Sequence, residues 1–238
     1  MKIAIISDIH GNIEALKVVL KDIKERGIIQ IYSTGDLVEY LPFPNEVIDA
    51  LRTAEVISIM GNHDLAVLES QLPSDEERAK MTDEEIQSKG SNIFTLETMT
   101  QVNVAYIAEL PRTIVIDIGS RTIRLVHGRP NDINGYIREN CEDFESIARE
   151  FEEDILVSGH SHEPFHKEIY GKHFVNAGSV GFPKHGVPKG TYVILDVEDN
   201  YFEVDVIEVD YEKSLLIDTI KADSRISDAL ITRLVEGK

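Results

Sequence analysis

Five short polar segments of this 238-residue sequence carry residue types suited to holding metal ions. Asp8-Ile9-His10 places a carboxylate and an imidazole two positions apart. In an extended segment such residues point to one side and can share an ion, although a helix-capping turn would use the same triplet. Gly35-Asp36 adds a second carboxylate. Its two oxygens could bridge two cations, or it could simply close a turn. Gly61-Asn62-His63-Asp64 is the most specific of the five. Gly permits close backbone approach, Asn offers a neutral oxygen ligand, and His63 can donate a proton, with Asp64 placed to accept from the imidazole. Gly159-His160-Ser161-His162 repeats the alternating pattern with two imidazoles, whereas His127-Gly128 says little by itself.

The donors mix imidazole, carboxylate and carboxamide without thiolate, which favours Mn, Fe, Zn or Ni over Ca or a cysteine-type zinc site. Asp8, His10, Asp36, Asn62, His127, His160 and His162 are too many ligands for one tetrahedral ion. Two ions sharing Asp36 would use them.

Each segment follows an expected strand. Lys2 to Ser7 reads as a buried strand, followed by a helix capped by Asn12 and stopped at Gly27, with Ile13, Leu16, Val19, Leu20 and Ile23 at helical spacing. Ile28 to Ser33 is a second strand, Asn45 to Arg52 a short helix, and Val56 to Met60 a third strand. Single helices between strands imply crossovers and a largely parallel sheet, whose ligands gather beyond the carboxyl ends of its strands. From 66 to 109 the pattern turns charged and weakly helical, so a helical cap insertion closed by Pro111 is expected within a single domain spanning 1–238. The second half reads as strands Thr113 to Ile118, Thr122 to Val126 and Ile155 to Ser158, with a helix from Glu142 to Glu152. Hairpins should turn at Gly119-Ser120, Gly171-Lys172 and Asp199-Asn200, and the tail from Glu212 should be helical.

The formal charge of −19 argues against a broad face for long nucleic acid or anionic lipid. Small phosphate esters stay open, because bound metal ions reverse the local potential. One cysteine, Cys141, precludes an internal disulfide, and no apolar run has the length of a membrane span. The N-terminus lacks the features of an export signal, so a cytoplasmic protein is expected. Oligomeric state is not legible.

Taken in order, Asp8-x-His10, Gly35-Asp36, Gly61-Asn62-His63-Asp64, His127-Gly128 and Gly159-His160-x-His162 resemble the calcineurin-like metallophosphoesterase superfamily. The opening Ser-Asp-Ile-His-Gly-Asn and the later Asn176-Ala-Gly-Ser-Val-Gly resemble its small bacterial and archaeal phosphodiesterases. The resemblance implies a four-layer αββα sandwich. It also implies one metal held by Asp8, His10, Asp36 and His162, a second held by Asp36, Asn62, His127 and His160, and His63 acting on the phosphoryl group or leaving oxygen. Two departures stand out: Ala177 where the family commonly has proline, and Phe182-Pro183-Lys184-His185 where close relatives tend to carry Arg and Asp. Lys184 and Asn12 are the candidate substrate contacts, and His166, His173 and His185 match no ligand motif.

The expected activity is dinuclear-metal-dependent hydrolysis of a small phosphodiester by metal-activated hydroxide, with Mn or Fe favoured and Zn or Ni as alternatives. A nuclease, or a protein or dinucleoside-polyphosphate phosphatase of the same superfamily, is the alternative. A binding scaffold that has lost its chemistry, as in the related retromer subunit, comes last, since His63 and every ligand position are filled.

Overall fold

The computed structural model describes residues 1–198 and 201–238. Apolar side chains alternate in two directions along β1 (Lys2–Ile6), and that alternation sets the layers of the molecule. Ala4 and Ile6 join a helix-covered cluster, whereas Ile3 and Ile5 join a cluster between two sheets. Helix α1 (Ile13–Glu25) begins where the Asn12 side chain accepts from the Ala15 amide at 3.0 Å, and buries Ile13, Leu16, Val19 and Ile23. It stops because Gly27 turns left-handed at φ 74°.

The first sheet joins β2 (Ile31–Ser33) and β3 (Ile57–Ser58) to β1 in parallel, with α2 (Pro44–Thr53) as crossover. On its other side β9 (Gly190–Glu198) and β10 (Tyr201–Val209) run antiparallel, giving the order β10-β9-β1-β2-β3. The second sheet has the order β4-β5-β6-β8-β7, from β4 (Thr113–Ile118), β5 (Arg121–Val126), β6 (Ile155–Ser158), β7 (Phe165–Ile169) and β8 (Lys172–Asn176). Both sheets are therefore mixed. Parallel pairing holds for β1-β2-β3 and β5-β6-β8, while the hairpins β4-β5, β7-β8 and β9-β10 bring in antiparallel strands. The expected Asp199-Asn200 turn lies outside the described residues.

Three apolar clusters separate four layers. Ile3, Ile5, Val193 and Leu195 of the first sheet meet Ile123, Leu125, Ile155 and Val157 of the second. Outside the first sheet lie α1, α2, α8 (Ser214–Ala222) and α9 (Ala229–Glu236), through Leu16, Val47, Leu216 and Leu234. Outside the second sheet the helical layer is thin, with α7 (Phe144–Ala148) alone among the described residues. The helix expected from Glu142 to Glu152 is cut short because Phe151 turns inward to meet Phe174, ring centroids 5.6 Å apart.

Between β3 and β4 the chain forms α3 (Asn62–Glu69), α4 (Asp75–Arg78), α5 (Asp83–Thr98) and α6 (Gln101–Ala108). Local sequence starts two of them: Ser74 with Glu77, and Thr82 with Glu85, form capping boxes. The Met60 amide donates to Pro111 at 2.8 Å, so the helical excursion leaves and re-enters the sheet at neighbouring points. α5 presses on the loop before α9 at Gly90, where an added Cβ would lie 1.9 Å from the Arg225 carbonyl oxygen.

Gly90→Ala opposes two effects. Helix propensity favours alanine by about 1 kcal/mol, while overpacking against backbone typically costs about 1–3 kcal/mol. The contact is with backbone rather than a flexible side-chain end, so the steric cost wins. Gly90→Ala should lower the denaturation midpoint, and a midpoint that rises would show that α5 can move aside freely.

Candidate metal centre

The clustered residues lie in loops just past β1, β2, β5 and β6, and at the first residue of α3. Their convergence has a different backbone origin from the extended alternation expected of Asp8/His10 and His160/His162. Asp8 (φ 49°), His10 (51°), Asp36 (55°), His160 (64°) and His162 (59°) are all left-handed. For non-glycine residues this costs on the order of 1–3 kcal/mol each and needs surrounding structure to hold it. The loops supply that by lacing together: Asp8 donates to Gly35, Ile9 and His10 to Asp36, and Gly11 to Leu37, all at 2.8–3.0 Å. Two glycines give the carboxylates room. A Cβ on Gly61 would lie 2.1 Å from Asp36 Oδ1, and one on Gly159 would lie 2.5 Å from Asp8 Oδ2.

Two donor groups result, Asp8 with His10 and His162, and Asp36 with His127 and His160. In the first, Asp8 Oδ1 lies 3.1 Å from His162 Nε2 and 3.8 Å from His10 Nε2. In the second, His127 Nε2 lies 3.2 Å from Asp36 Oδ2 and 2.9 Å from Asn62 Oδ1. Asp36 Oδ2 is also 3.6 Å from His10 Nε2, so it faces both groups. All seven expected ligands are thus together. Asp8 Oδ1 and Asp36 Oδ2 are buried without a hydrogen-bond partner among the described residues, as atoms reserved for a cation would be.

Backbone carbonyls fix the imidazoles. His10 Nδ1 faces Val38 O at 3.2 Å, His127 Nδ1 faces Thr34 O at 2.9 Å, and His162 Nδ1 faces Phe182 O. His160 Nε2 faces Asn134 O at 3.1 Å. A carbonyl only accepts, so the facing nitrogen carries the hydrogen and the other can be a lone-pair ligand. The second carboxylate oxygens are also tied: Asp8 Oδ2 accepts from Ser7 Oγ and the His160 amide, and Asp36 Oδ1 accepts from the His63 amide.

Burial alone would raise the Asp8 and Asp36 carboxyls, but the charges of His162 and His127 respectively outweigh it and hold both well below the usual range. Burial disfavours the His127 imidazolium, yet the Asp36 charge beside it pushes its pKa up to about 9. Burial and the neighbouring His127 charge push His160 down to about 4.

His63 stands beside these groups, its ring 5.0 Å from that of His10. Its orientation corrects one expectation. Asp64 does not accept from the imidazole; it is fully buried and takes the Gly61, Leu37 and Val38 amides at 2.9–3.3 Å, tying two ligand loops together. Burial and the Asp36 charge push Asp64 up to about 7. The partner of His63 Nδ1 is Glu39. Burial opposes a charged His63, but Asp36 and the Glu39 hydrogen bond raise its pKa above the ordinary value.

Asn12 is also corrected. It is fully buried, and its amide is spent on the α1 cap, on Gly181 O and on Tyr211 Oη, leaving no donor facing the site. Lys184 is half-buried, and desolvation lowers its pKa despite the nearby Asp8 and Asp36 charges. His166 pairs with His173 at 3.1 Å away from the cluster. Sequence reasoning missed Glu39, three residues past Asp36, and Tyr136, whose ring stacks on His160 at 4.1 Å. Asn176 and Ser179, within the Asn176-Ala-Gly-Ser-Val-Gly motif, brace the site by donating to the backbone carbonyls of Gly159 and Asp8.

A two-sheet sandwich with paired carboxylate–imidazole groups at its strand ends defines a metal-binding α/β class. The chain belongs to the calcineurin-like phosphoesterase superfamily, whose domain model matches residues 1–200. An uncharacterized protein of Methanocaldococcus jannaschii is 30% identical, covering 99% of this chain and 98% of its own. Among solved structures, a metallophosphoesterase from Sphaerobacter thermophilus superposes with TM-score 0.82 at 27% identity, covering 100% of this chain and 99% of that one. A hypothetical protein from Pyrococcus horikoshii superposes with TM-score 0.86 at 27% identity, covering 100% and 98%. The family is metal-dependent and takes its name from phosphoester hydrolysis.

The His127 shift has a measurable consequence. Below about pH 9 the metal-free imidazole holds a proton that an incoming cation must displace. Apparent metal affinity should therefore rise with pH from about 6 towards 9 and then level off. Calorimetry at neutral pH in buffers of different ionisation enthalpy should show proton release, and buffer-independent heats would contradict it.

Proposed function

We propose that this chain hydrolyses small phosphodiesters with two divalent transition-metal ions, Mn or Fe in preference to Zn or Ni. The observation that carries the reading is Asp36 Oδ2, unpartnered among the described residues and 3.6 and 3.2 Å from imidazole nitrogens of two separate donor groups. Asp8, His10, Asp36 and His162 would hold one ion, and Asp36, Asn62, His127 and His160 the other. When bound, the ions supply Lewis acidity and bring the pKa of water at the site to about 7.

The chain's own residues account for the remaining chemistry. His63 sits beside both groups with a raised pKa, suited to hydrogen-bonding a phosphoryl oxygen or giving the leaving oxygen its proton. Glu39 holds the ring by Nδ1, leaving Nε2 for substrate. Lys184, which makes no ion pair among the described residues, offers a point charge rather than a bidentate fork. A cavity of about 770 Å³ opens from Asn62 and His63 beneath α4 and α5, with room for a second ester arm. In this reading the helices from 66 to 109 act as a cap over the substrate. Among the described residues no helix is long and apolar enough to cross a membrane.

Metal analysis with turnover of bis-p-nitrophenyl phosphate tests the proposal. Roughly two ions per chain and recovery of activity by Mn²⁺ after chelation are expected. Protein inert with every divalent ion would overturn it. His63→Ala should keep its metal and lose on the order of a hundredfold or more in kcat; unchanged turnover would remove His63 from the mechanism.

A further inference from the structure

We propose that Asn92, on α5, is a positioning residue for His63 that acts through Glu39. The proposal rests on the hydrolase reading above and adds a part for the helical excursion in that chemistry.

Glu39 is 5% exposed, and each of its carboxylate oxygens meets one side chain. Oε2 faces His63 Nδ1, and Oε1 accepts from Asn92 Nδ2. A carboxylate bound on one oxygen can still turn about its last bond, whereas one bound on both is fixed in plane. Asn92 therefore sets the direction in which Glu39 accepts from the imidazole, and so where His63 Nε2 points. The backbone beneath is committed to this arrangement. Glu39 and Tyr40 are consecutive left-handed residues, φ 69° and 61°, without a glycine at either position. Tyr40 packs against the rings of His10 and His63 at 4.5 and 4.6 Å, blocking their other face.

The placement of Asn92 comes from the C-terminal part of the chain. Ile93 and Phe94 beside it are buried, and Phe94 lies under the Arg225 guanidinium at 4.8 Å. Arg225 also pairs with Glu97, one turn of α5 beyond Phe94. With Gly90 against the Arg225 carbonyl, the half of α5 that carries Asn92 is clamped from outside residues 1–200.

The step served is leaving-group protonation. As the water oxygen forms the new P–O bond, the ester P–O bond breaks and its electron pair goes to the leaving oxygen. That oxygen takes the His63 proton, and the water's proton passes to solvent, from which His63 is recharged. A poor leaving group needs this proton more than a good one.

The test compares kcat and KM on bis-p-nitrophenyl phosphate and on diphenyl phosphate, whose leaving group is the more basic. Asn92→Ala, at a half-buried helical position, should lower kcat on diphenyl phosphate about tenfold and on the nitrophenyl ester about threefold or less. Metal content and thermal midpoint should stay near wild type, and Asn92→Gln, which keeps the amide donor, should recover part of the loss. Equal losses on both esters, or none, would overturn the role of Asn92 while an active wild type leaves the hydrolase reading standing. A wild type inert on both esters with every divalent ion would overturn both. If Asn92→Ala is destabilised, Asn92→Gln alone decides: a leaving-group-dependent loss supports the proposal, and a uniform one overturns it.

Discussion

Two carboxylates buried in one cluster constrain everything built around them. Asp8 and Asp36 are both fully buried, and each leaves one oxygen without a hydrogen bond among the described residues. Charge of this kind is tolerated in a protein interior only when opposite charge is held within a few ångströms. In the metal-free chain the imidazoles supply it, which is why His127 binds its proton so firmly. Bound cations answer the same need more completely. The carbonyls of Val38, Thr34 and Phe182 turn each imidazole so that it can serve in either state.

Meeting that demand shapes the backbone. Strands β1, β2, β5 and β6 end one after another at the same rim, and the residues beyond them fold sharply instead of running on. Five residues of the cluster carry left-handed strain; cross-links between the 8–11 and 35–37 loops offset it at Asp8, His10 and Asp36, and the His160 amide is tied to Asp8 Oδ2. Asp64 belongs to the same solution. It is a structural strut, joining the 61–64 turn to the 35–38 turn through three amides.

The residues that gather at the strand ends were legible in the sequence, and the geometry that gathers them was not. Asn62 and the His160/His162 pair stood out because their neighbours include glycines with a steric reason to be there. Asp36 and His127 depended on motif order, since a carboxylate or an imidazole at a strand end has many uses. The period-2 argument for Asp8 and His10 named residues that the structure brings together, but through a different backbone, because side-chain alternation says nothing of φ once a strand has ended. Glu39 was hidden for a related reason. An acid three residues past Asp36 looks like surface, and only the return of α5, more than fifty residues later, makes it an interior group. The four layers were an expectation carried by the family resemblance, whereas the sequence of β9 gave no warning that it would pair antiparallel with β1.

The position of β10 bears on how molecules of this protein behave towards one another. It closes one edge of the first sheet, and its solvent-facing row includes Glu203 and Asp205, both exposed. An open edge is a template for another strand, and edge-to-edge addition of a second copy would set carboxylates against carboxylates. At neutral pH the formal charge of −19 reinforces that repulsion. Near the isoelectric point of about 4.7 the net charge, and with it the overall repulsion between copies, falls to zero. Acidification thus exposes the chain to intermolecular β-pairing along β10, a colloidal liability that the acidic composition holds off under ordinary conditions.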